Sequence, residues 1–184
     1  LVGTVLQESG IETQYKELLG LGDCLNEVCL FMEPLAKEKK QTIKIKNDSP
    51  EFSLWGHRQQ VQDIFFNLIS NALKFSPQGS QVSVTCSPIR TSAGDFHEIQ
   101  IKDQGPGFAK EDFSKLFVAQ AKLSAKPTGN ESSTGFGLFS AKLSMERLNG
   151  TITVTNNPDH GACVSLRFPM KAIAATKNLR PLES

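Results

Sequence analysis

The chain has 184 residues, enough to bury roughly 70% of the surface its unfolded form exposes, so a core and a pocket require neither metals nor disulfides. Twenty Lys and Arg against nineteen Asp and Glu give a net charge of +1, which excludes a strongly basic nucleic-acid binder and an acidic tail protein. With 39% hydrophobic and 21% charged residues the chain reads as globular, and no apolar run approaches the ~20 residues of a membrane span.

The first residues lack the basic flank and long apolar run of a signal peptide. They also lack an initiator Met, so the chain reads as a piece of a longer protein. Cys24, Cys29, Cys86 and Cys163 form no CxxC pair and have no His at zinc-ligand spacing, which predicts reduced thiols in a reducing compartment. Residues 1–22 place Val2, Leu6 and Ile11 loosely at helical spacing, interrupted by Gly10, Gly20 and Gly22, and read as a linker with a helical remnant. Asp23 is the expected N-cap of a helix carrying Leu25, Val28, Cys29, Met32, Leu35 and Ala36 at spacings of three and four. Pro34 predicts a kink, and Lys37-Glu38-Lys39-Lys40 places cations at the negative helix end.

Thr42-Ile43-Lys44-Ile45-Lys46 alternates as a half-buried strand does, and 51–55 follows as a second strand after an Asn-Asp-Ser-Pro turn. A long helix is predicted over 57–75, closed by Ser76-Pro77-Gln78-Gly79. Strands over 81–88 and 96–102 form a hairpin around 91–95. Residues 103–134 are rich in Gly, Pro, Ser, Thr and Lys, with one helical piece at 110–117. So long an irregular stretch inside a compact domain is either functional or disordered. A helix over 137–148, ended by Asn149-Gly150, precedes a second hairpin of 151–155 and 162–168. Pattern fades after Met170, leaving 171–184 as a disordered tail. The alternation of helices and hairpins predicts one mixed sheet with helices stacked on one face.

Three polar islands stand out. On helix 57–75, Val61, Ile64, Phe65, Leu68 and Ala72 share an apolar face that Phe66, Ile69 and Leu73 widen, while Asp63, Asn67, Asn71 and Lys74 share the narrow remainder. Asn is a poor helix former. The pair is explained either by hydrogen bonds to a neighbouring loop or by a neutral oxygen ligand for a hard cation, with Lys74 facing an anion. Asp103-Gln104-Gly105-Pro106-Gly107-Phe108 follows a strand directly. It is either an ordinary Gly-Pro turn or a carboxylate held beside a flat ligand that the glycines let approach. A carboxylate in that place selects an exocyclic amine such as that of adenine. Ser132-Ser133-Thr134-Gly135-Phe136-Gly137 opens a helix, whose N-terminal amides suit phosphate. This glycine pair lacks the third Gly and the preceding strand of the dinucleotide fingerprint, and no Walker A sequence occurs.

In this order and spacing the islands resemble the boxes of the GHKL ATPase superfamily, and most of all the catalytic ATP-binding domain of sensor histidine kinases. The N box spans Asp63 to Pro77 and the first glycine box Asp103 to Phe108. Phe113-Ser114-Lys115-Leu116-Phe117 resembles the F box, and the second glycine box is Thr134-Gly135-Phe136-Gly137-Leu138. The segment from Leu148-Asn149-Gly150-Thr151 to Phe168-Pro169 resembles the family's closing hairpin. The likeness covers roughly 23–170, the expected catalytic domain.

The resemblance implies an α/β two-layer sandwich, the Bergerat fold, with a mixed, mostly antiparallel sheet of about five strands and three main helices on one face. It implies that Asn67 coordinates Mg²⁺, that Asn71 and Lys74 contact phosphates, and that Phe75 packs on the base. Asp103 binds the adenine amine, with Gly105, Gly107 and Phe108 shaping that wall. Residues 109–134 form an ATP lid that offers Lys122 and Lys126 as cations, and Thr134, Gly135, Phe136, Gly137 and Leu138 close on the phosphates. Asp63, four residues before Asn67, stands where hydrolytic members of the superfamily carry a Glu base. With Asn67 and Lys74 it is an expected catalytic residue: the shorter Asp either orients water less well or helps order the metal shell, and a kinase whose nucleophile is an imidazole from elsewhere needs no water-activating base there.

The implied activity is transfer of the ATP γ-phosphate to a histidine on a dimerisation domain outside this fragment, with a response regulator downstream. The implied domain is a cytoplasmic monomer that touches neither nucleic acid nor membrane. A serine kinase of the anti-sigma type and a catalytically silent nucleotide-sensing module are the alternatives on the same fold.

Overall fold

The computed structural model describes residues 16–48, 52–129 and 135–170. In chain order its elements are β1 (Glu17–Gly20), α1 (Leu21–Glu38), β2 (Thr42–Asn47), β3 (Ser53–Gly56), α2 (Arg58–Phe75), β4 (Gln81–Thr91), β5 (Gly94–Lys102), α3 (Gly137–Arg147), β6 (Thr151–Asn156) and β7 (Ala162–Pro169). Among the described residues between β5 and α3, one 3₁₀ turn occurs, Lys110–Asp112.

Alternation along the strands creates the main interface. Val82, Val84 and Cys86 of β4, Ile99 and Ile101 of β5, and Val164, Leu166 and Phe168 of β7 are buried on the helix-facing side. Period two sends the residues between them to the opposite face. There, Arg167 Nε donates to Glu98 Oε1 at 2.8 Å across adjacent strands. The five-stranded sheet has the order β2-β4-β5-β7-β6. Only the β2–β4 pair is parallel; the others are antiparallel. All three helices cover one face, so the fold is an open two-layer α/β sandwich, as expected.

Helix α2 lies across the middle of the sheet. Val61, Ile64, Phe65, Leu68, Ile69, Ala72 and Leu73 are buried along its length, and the Phe65 and Phe168 rings meet edge-on with centroids 6.4 Å apart. Phe66 does not join this face. It is 42% exposed and turns toward Phe31 of α1, with ring centroids 6.1 Å apart. Helix α1 buries Leu25, Val28, Cys29, Met32 and Ala36 against α2 and continues through Pro34 to Glu38. Pro34 and Leu30 lie on its exposed side, where water can meet the carbonyl that the proline leaves unpaired.

Three local expectations are corrected. Helix α1 starts at Leu21 rather than after Asp23, because the Leu21 amide donates to the Phe52 carbonyl at 2.7 Å and the chain turns at Gly20. Asp23 stands in the first turn, where its negative charge still complements the positive end of the helix dipole. Glu17–Gly20, expected within a linker, is a strand paired antiparallel with β3 in a separate two-stranded sheet, and Leu19 is fully buried there. The helical piece expected at 110–117 is only the 3₁₀ turn, followed by irregular turns. The helical remnant expected before residue 16 and the tail after 170 lie outside the described residues.

Candidate functional site

The polar stripe of α2, the loop after β5 and the start of α3 converge on a cavity of about 870 Å³. That volume falls in the range of pockets that enclose a cofactor-sized ligand. Asn67, Asn71, Lys74 and Phe75 line it from α2, Asp103, Gly107 and Phe108 from the loop, and Gly135, Phe136, Gly137 and Leu138 from the α3 start. Lys122 lines it from the segment between. The three islands, separated by dozens of residues in sequence, therefore share one cavity.

The wall around Asp103 is the most constrained part. Its Oδ1 accepts from the Gly105 amide at 2.8 Å and from the Ala162 amide at 3.0 Å. Oδ2 makes no hydrogen bond among the described residues, so one acceptor stays available at the cavity. Burial raises the Asp103 carboxyl above its ordinary value, and the two amide hydrogen bonds pull in the opposite direction. A partly desolvated, oriented acceptor of this kind discriminates sharply for an amine donor.

Close backbone packing explains two of the glycines. A Cβ on Gly105 would stand 2.8 Å from the Phe75 carbonyl oxygen, so Gly105 backs the wall from behind and does not itself line the cavity. Gly107 has φ +72°, and a Cβ there would stand 2.8 Å from Asn156 Oδ1.

Phosphate-side geometry is equally tight. A Cβ on Gly137 would lie 2.9 Å from Asn71 Nδ2, so the α3 N-terminus sits directly against the α2 stripe. Gly135, at φ +70°, lets residues 120–121 approach; a Cβ there would stand 2.8 Å from the Ala121 carbonyl oxygen.

Some expected residues stand elsewhere. Asp63 does not line the cavity; it is exposed and accepts a hydrogen bond from Gln59 Nε2 at 2.8 Å, one helical turn beyond Asn67. Lys126 also lies off the lining, unlike Lys122. Thr134 falls outside the described residues.

The β6–β7 turn contributes residues that no sequence motif marks as functional. Asn156 clamps Phe108 in both directions: Oδ1 accepts from the Phe108 amide and Nδ2 donates to its carbonyl, each at 2.8 Å. Asn157 Nδ2 donates to the Asp103 carbonyl at 3.1 Å. Gly161, at φ +85°, is pressed against Asp103 so closely that a Cβ would meet its carbonyl oxygen. Their sequence signals, turn chemistry and the likeness to a closing hairpin, describe the hairpin and not the wall it supports.

A family model described as "Histidine kinase-, DNA gyrase B-, and HSP90-like ATPase" matches residues 56–172. The chain is 31% identical over 156 residues to the adaptive-response sensory kinase SasA of Prochlorococcus marinus strain MIT 9313, covering 83% of this chain and 40% of that protein. It is 27% identical over 150 residues to the histidine protein kinase SaeS of Staphylococcus epidermidis strain ATCC 12228, covering 82% of this chain and 42% of that protein. The chain thus spans less than half the length of these curated relatives.

Among solved structures, the mycobacterial sensor histidine kinase MprB superposes with a TM-score of 0.70 at 19% identity, covering 84% of this chain and 97% of that one. The catalytic domain of histidine kinase ThkA gives 0.72 at 17% identity, covering 84% and 95%. At these identities the superpositions speak to the fold. Over more than half its length the sequence matches the family model, and the chain belongs to the histidine kinase-, DNA gyrase B- and HSP90-like ATPase family.

Proposed function

We propose that this chain is the catalytic ATP-binding domain of a sensor histidine kinase, with residues 23–170 as its core and β1 as an added strand. The observation that carries the reading is the oriented Asp103 carboxylate, one oxygen held by two amides and the other open at a cavity walled by Asn67, Asn71 and Lys74. The relatives named above are sensory and histidine kinases, which supports phosphoryl transfer as the use of that cavity.

In this reading Asp103 receives the adenine amine and Phe75 packs on the base. Lys74 and the α3 amides behind Gly135 and Gly137 face the phosphates, and Lys122 adds a cation from the lid. The donor set fits Mg²⁺. No cluster of three or more Asp, Glu, His or Cys stands ready to hold a metal among the described residues. The Asn67 amide oxygen would supply a protein ligand, with phosphate oxygens and water filling the rest, as this ion prefers. The metal would neutralise charge on the transferring phosphoryl group. This chain's residues orient the nucleotide and exclude water, which is most of what phosphoryl transfer asks of a protein.

Asp63 has no part in this scheme, because its carboxylate lies away from the cavity. The acceptor histidine would come from a dimerisation domain and pass the phosphoryl group to a response regulator, placing the reaction in the cytoplasm. No described helix is long and apolar enough to cross a membrane.

Titration calorimetry with ATP, with and without Mg²⁺, tests the reading. Asp103→Asn replaces an acceptor by an amide and is expected to weaken binding by roughly tenfold or more, as loss of a charge-assisted hydrogen bond does. Asn67→Ala is expected to remove the Mg²⁺ dependence while nucleotide binding persists. Folded protein that takes up no adenine nucleotide would refute the proposal. Phosphotransfer is then tested with γ-labelled ATP in the chain joined to a histidine-bearing helical domain.

A further inference from the structure

The segment between the glycine boxes is held at two places, once by a tie within itself and once by a tie to the body of the domain. At its root, the Asp112 carboxylate is buried, at 3% exposure, and accepts from Ser124: Oδ2 from the amide at 2.9 Å and Oδ1 from the hydroxyl at 3.3 Å. This closes the loop that carries Leu116, Gln120, Ala121, Lys122 and Leu123 into the cavity wall. Farther along, the Thr128 amide donates to the Lys74 carbonyl at 3.1 Å. The Thr128 hydroxyl lies 2.7 Å from the Ser76 carbonyl and 3.0 Å from that of Lys74. A hydroxyl carries one proton, so it donates to Ser76, the shorter contact, while the amide holds Lys74.

Lys39, just after α1, completes the second tie. Its ammonium donates to Thr128 Oγ1 at 2.8 Å, to the Leu73 carbonyl at 2.8 Å and to the Lys74 carbonyl at 3.1 Å. These carbonyls belong to the last turn of α2, where backbone acceptors have no partner within the helix. The lid therefore docks on the end of the helix whose Asn67, Asn71 and Lys74 side chains line the cavity. The same peptide unit, that of Lys74, carries a nucleotide-facing side chain and receives the lid.

We propose that Asp112, Thr128 and Lys39 are positioning residues for the nucleotide. Together they hold residues 113–127 as a preformed wall, so that Lys122 and its neighbours already face the cavity before ligand arrives. A wall ordered in advance spares the ligand the entropy of ordering it. None of the three residues lines the cavity, so each acts through the segment it holds. The proposal rests on the nucleotide reading of the site, but the ties themselves can be measured in protein without nucleotide.

Hydrogen exchange of the whole chain, free and with ATP, tests this. In the free protein, Thr128→Val keeps the shape and removes the hydroxyl. It is expected to speed exchange of the hydrogen-bonded amides of residues 121, 124 and 128 by about tenfold while β4 and β5 amides keep their rates. Asp112→Ala is expected to do the same for 116–124, and Lys39→Met for the Thr128 end. Each should weaken ATP binding by about three- to tenfold in calorimetry, and in the chain joined to a histidine-bearing helical domain this should appear as a raised KM with a nearly unchanged kcat. Thr128→Ser, which restores the hydroxyl, should return both readouts to the wild-type value.

Wild-type exchange throughout the lid in Thr128→Val and Asp112→Ala would overturn the proposal. So would affinity loss that Thr128→Ser fails to reverse. A general rise in exchange across the sheet would overturn it as well, because the residues would then be ordinary stabilisers. If the wild-type chain binds no ATP, the nucleotide reading fails, while the exchange pattern still reports whether the ties exist.

Discussion

Gly161→Ala should separate the architecture of the Asp103 wall from the chemistry of Asp103 itself. Gly161 sits at φ +85°, a conformation that costs an L-residue about 1 kcal/mol before any contact is counted. The added Cβ would then lie 2.6 Å from the Asp103 carbonyl carbon and 2.8 Å from Asp103 Oδ1, well inside the 3.4 Å at which ordinary contact begins. Asp103 cannot retreat without cost. Its amide donates to the Ala162 carbonyl at 3.0 Å, its carbonyl is held by Asn157, and its carboxylate is held by two amides. The tightest clash is with the Asp103 backbone, which side-chain rotation cannot relieve, so the turn must draw away from Asp103 and carry the neighbouring Ala162 amide off the carboxylate, breaking that hydrogen bond and freeing the carboxylate to turn. An acceptor no longer aimed at the cavity loses the charge-assisted bond to the adenine amine, about 1.5–3 kcal/mol. That is roughly a 10- to 150-fold weaker Kd.

The assay is ATP titration by calorimetry beside the melting curve of the same protein. The expected result is a folded domain of somewhat lower Tm whose adenine affinity falls toward that of Asp103→Asn. Combining the two substitutions should add little, because both remove one interaction. Wild-type affinity in Gly161→Ala would refute the reasoning, showing that the close approach of the β6–β7 turn does not position the carboxylate.

Three further outcomes follow from the core. Phe65→Ala removes a fully buried ring packed edge-on against Phe168; denaturant unfolding should show a loss of about 3–5 kcal/mol. Burial lowers the His97 imidazole below its usual 6.5, with Nδ1 unpartnered among the described residues and the ring against Phe52 at 4.0 Å. The folded state therefore binds that proton less readily than the unfolded chain. Stability is full above about pH 6.5 and is lost as pH falls below it; His97→Phe should flatten this slope in unfolding curves between neutral and mildly acid pH. Burial also pushes the thiols of Cys29 and Cys86 up to about 12 and about 11. At pH 8 about a thousandth or less of either is thiolate, so a thiol reagent should leave both unmodified until the domain unfolds, and rapid labelling of the native protein at either site would contradict this.

Much of this protein was legible without coordinates because the relevant signals are local. The period of α2 separates a buried face from the stripe of Asn67, Asn71 and Lys74 within a single helix. The alternation of β4, β5 and β7 announces strands with one buried side. The two glycine boxes could be read in place because each closes within a few residues, and their order allowed a family to be named. Long-range contact decided the rest. Glu17–Gly20 is a strand only because Leu19 and Leu54 meet across the β1–β3 pair, and a four-residue segment carries no periodicity to reveal it. Helix geometry alone allowed Phe66 to join the apolar face and Asp63 to join the polar stripe. The packing of α1 and the limits of the cavity removed both.

The supports of the site were the least visible. The Asn156–Phe108 clamp spans 48 positions, the Ala162–Asp103 bond 59, and the Thr128–Ser76 tie 52. A hydrogen bond leaves a trace in local sequence only when both partners lie within one element. These do not, so Asn67, Asn71, Lys74, Asp103 and the lining residues of the glycine boxes could be named from the chain, and the residues that hold them in place only from the fold.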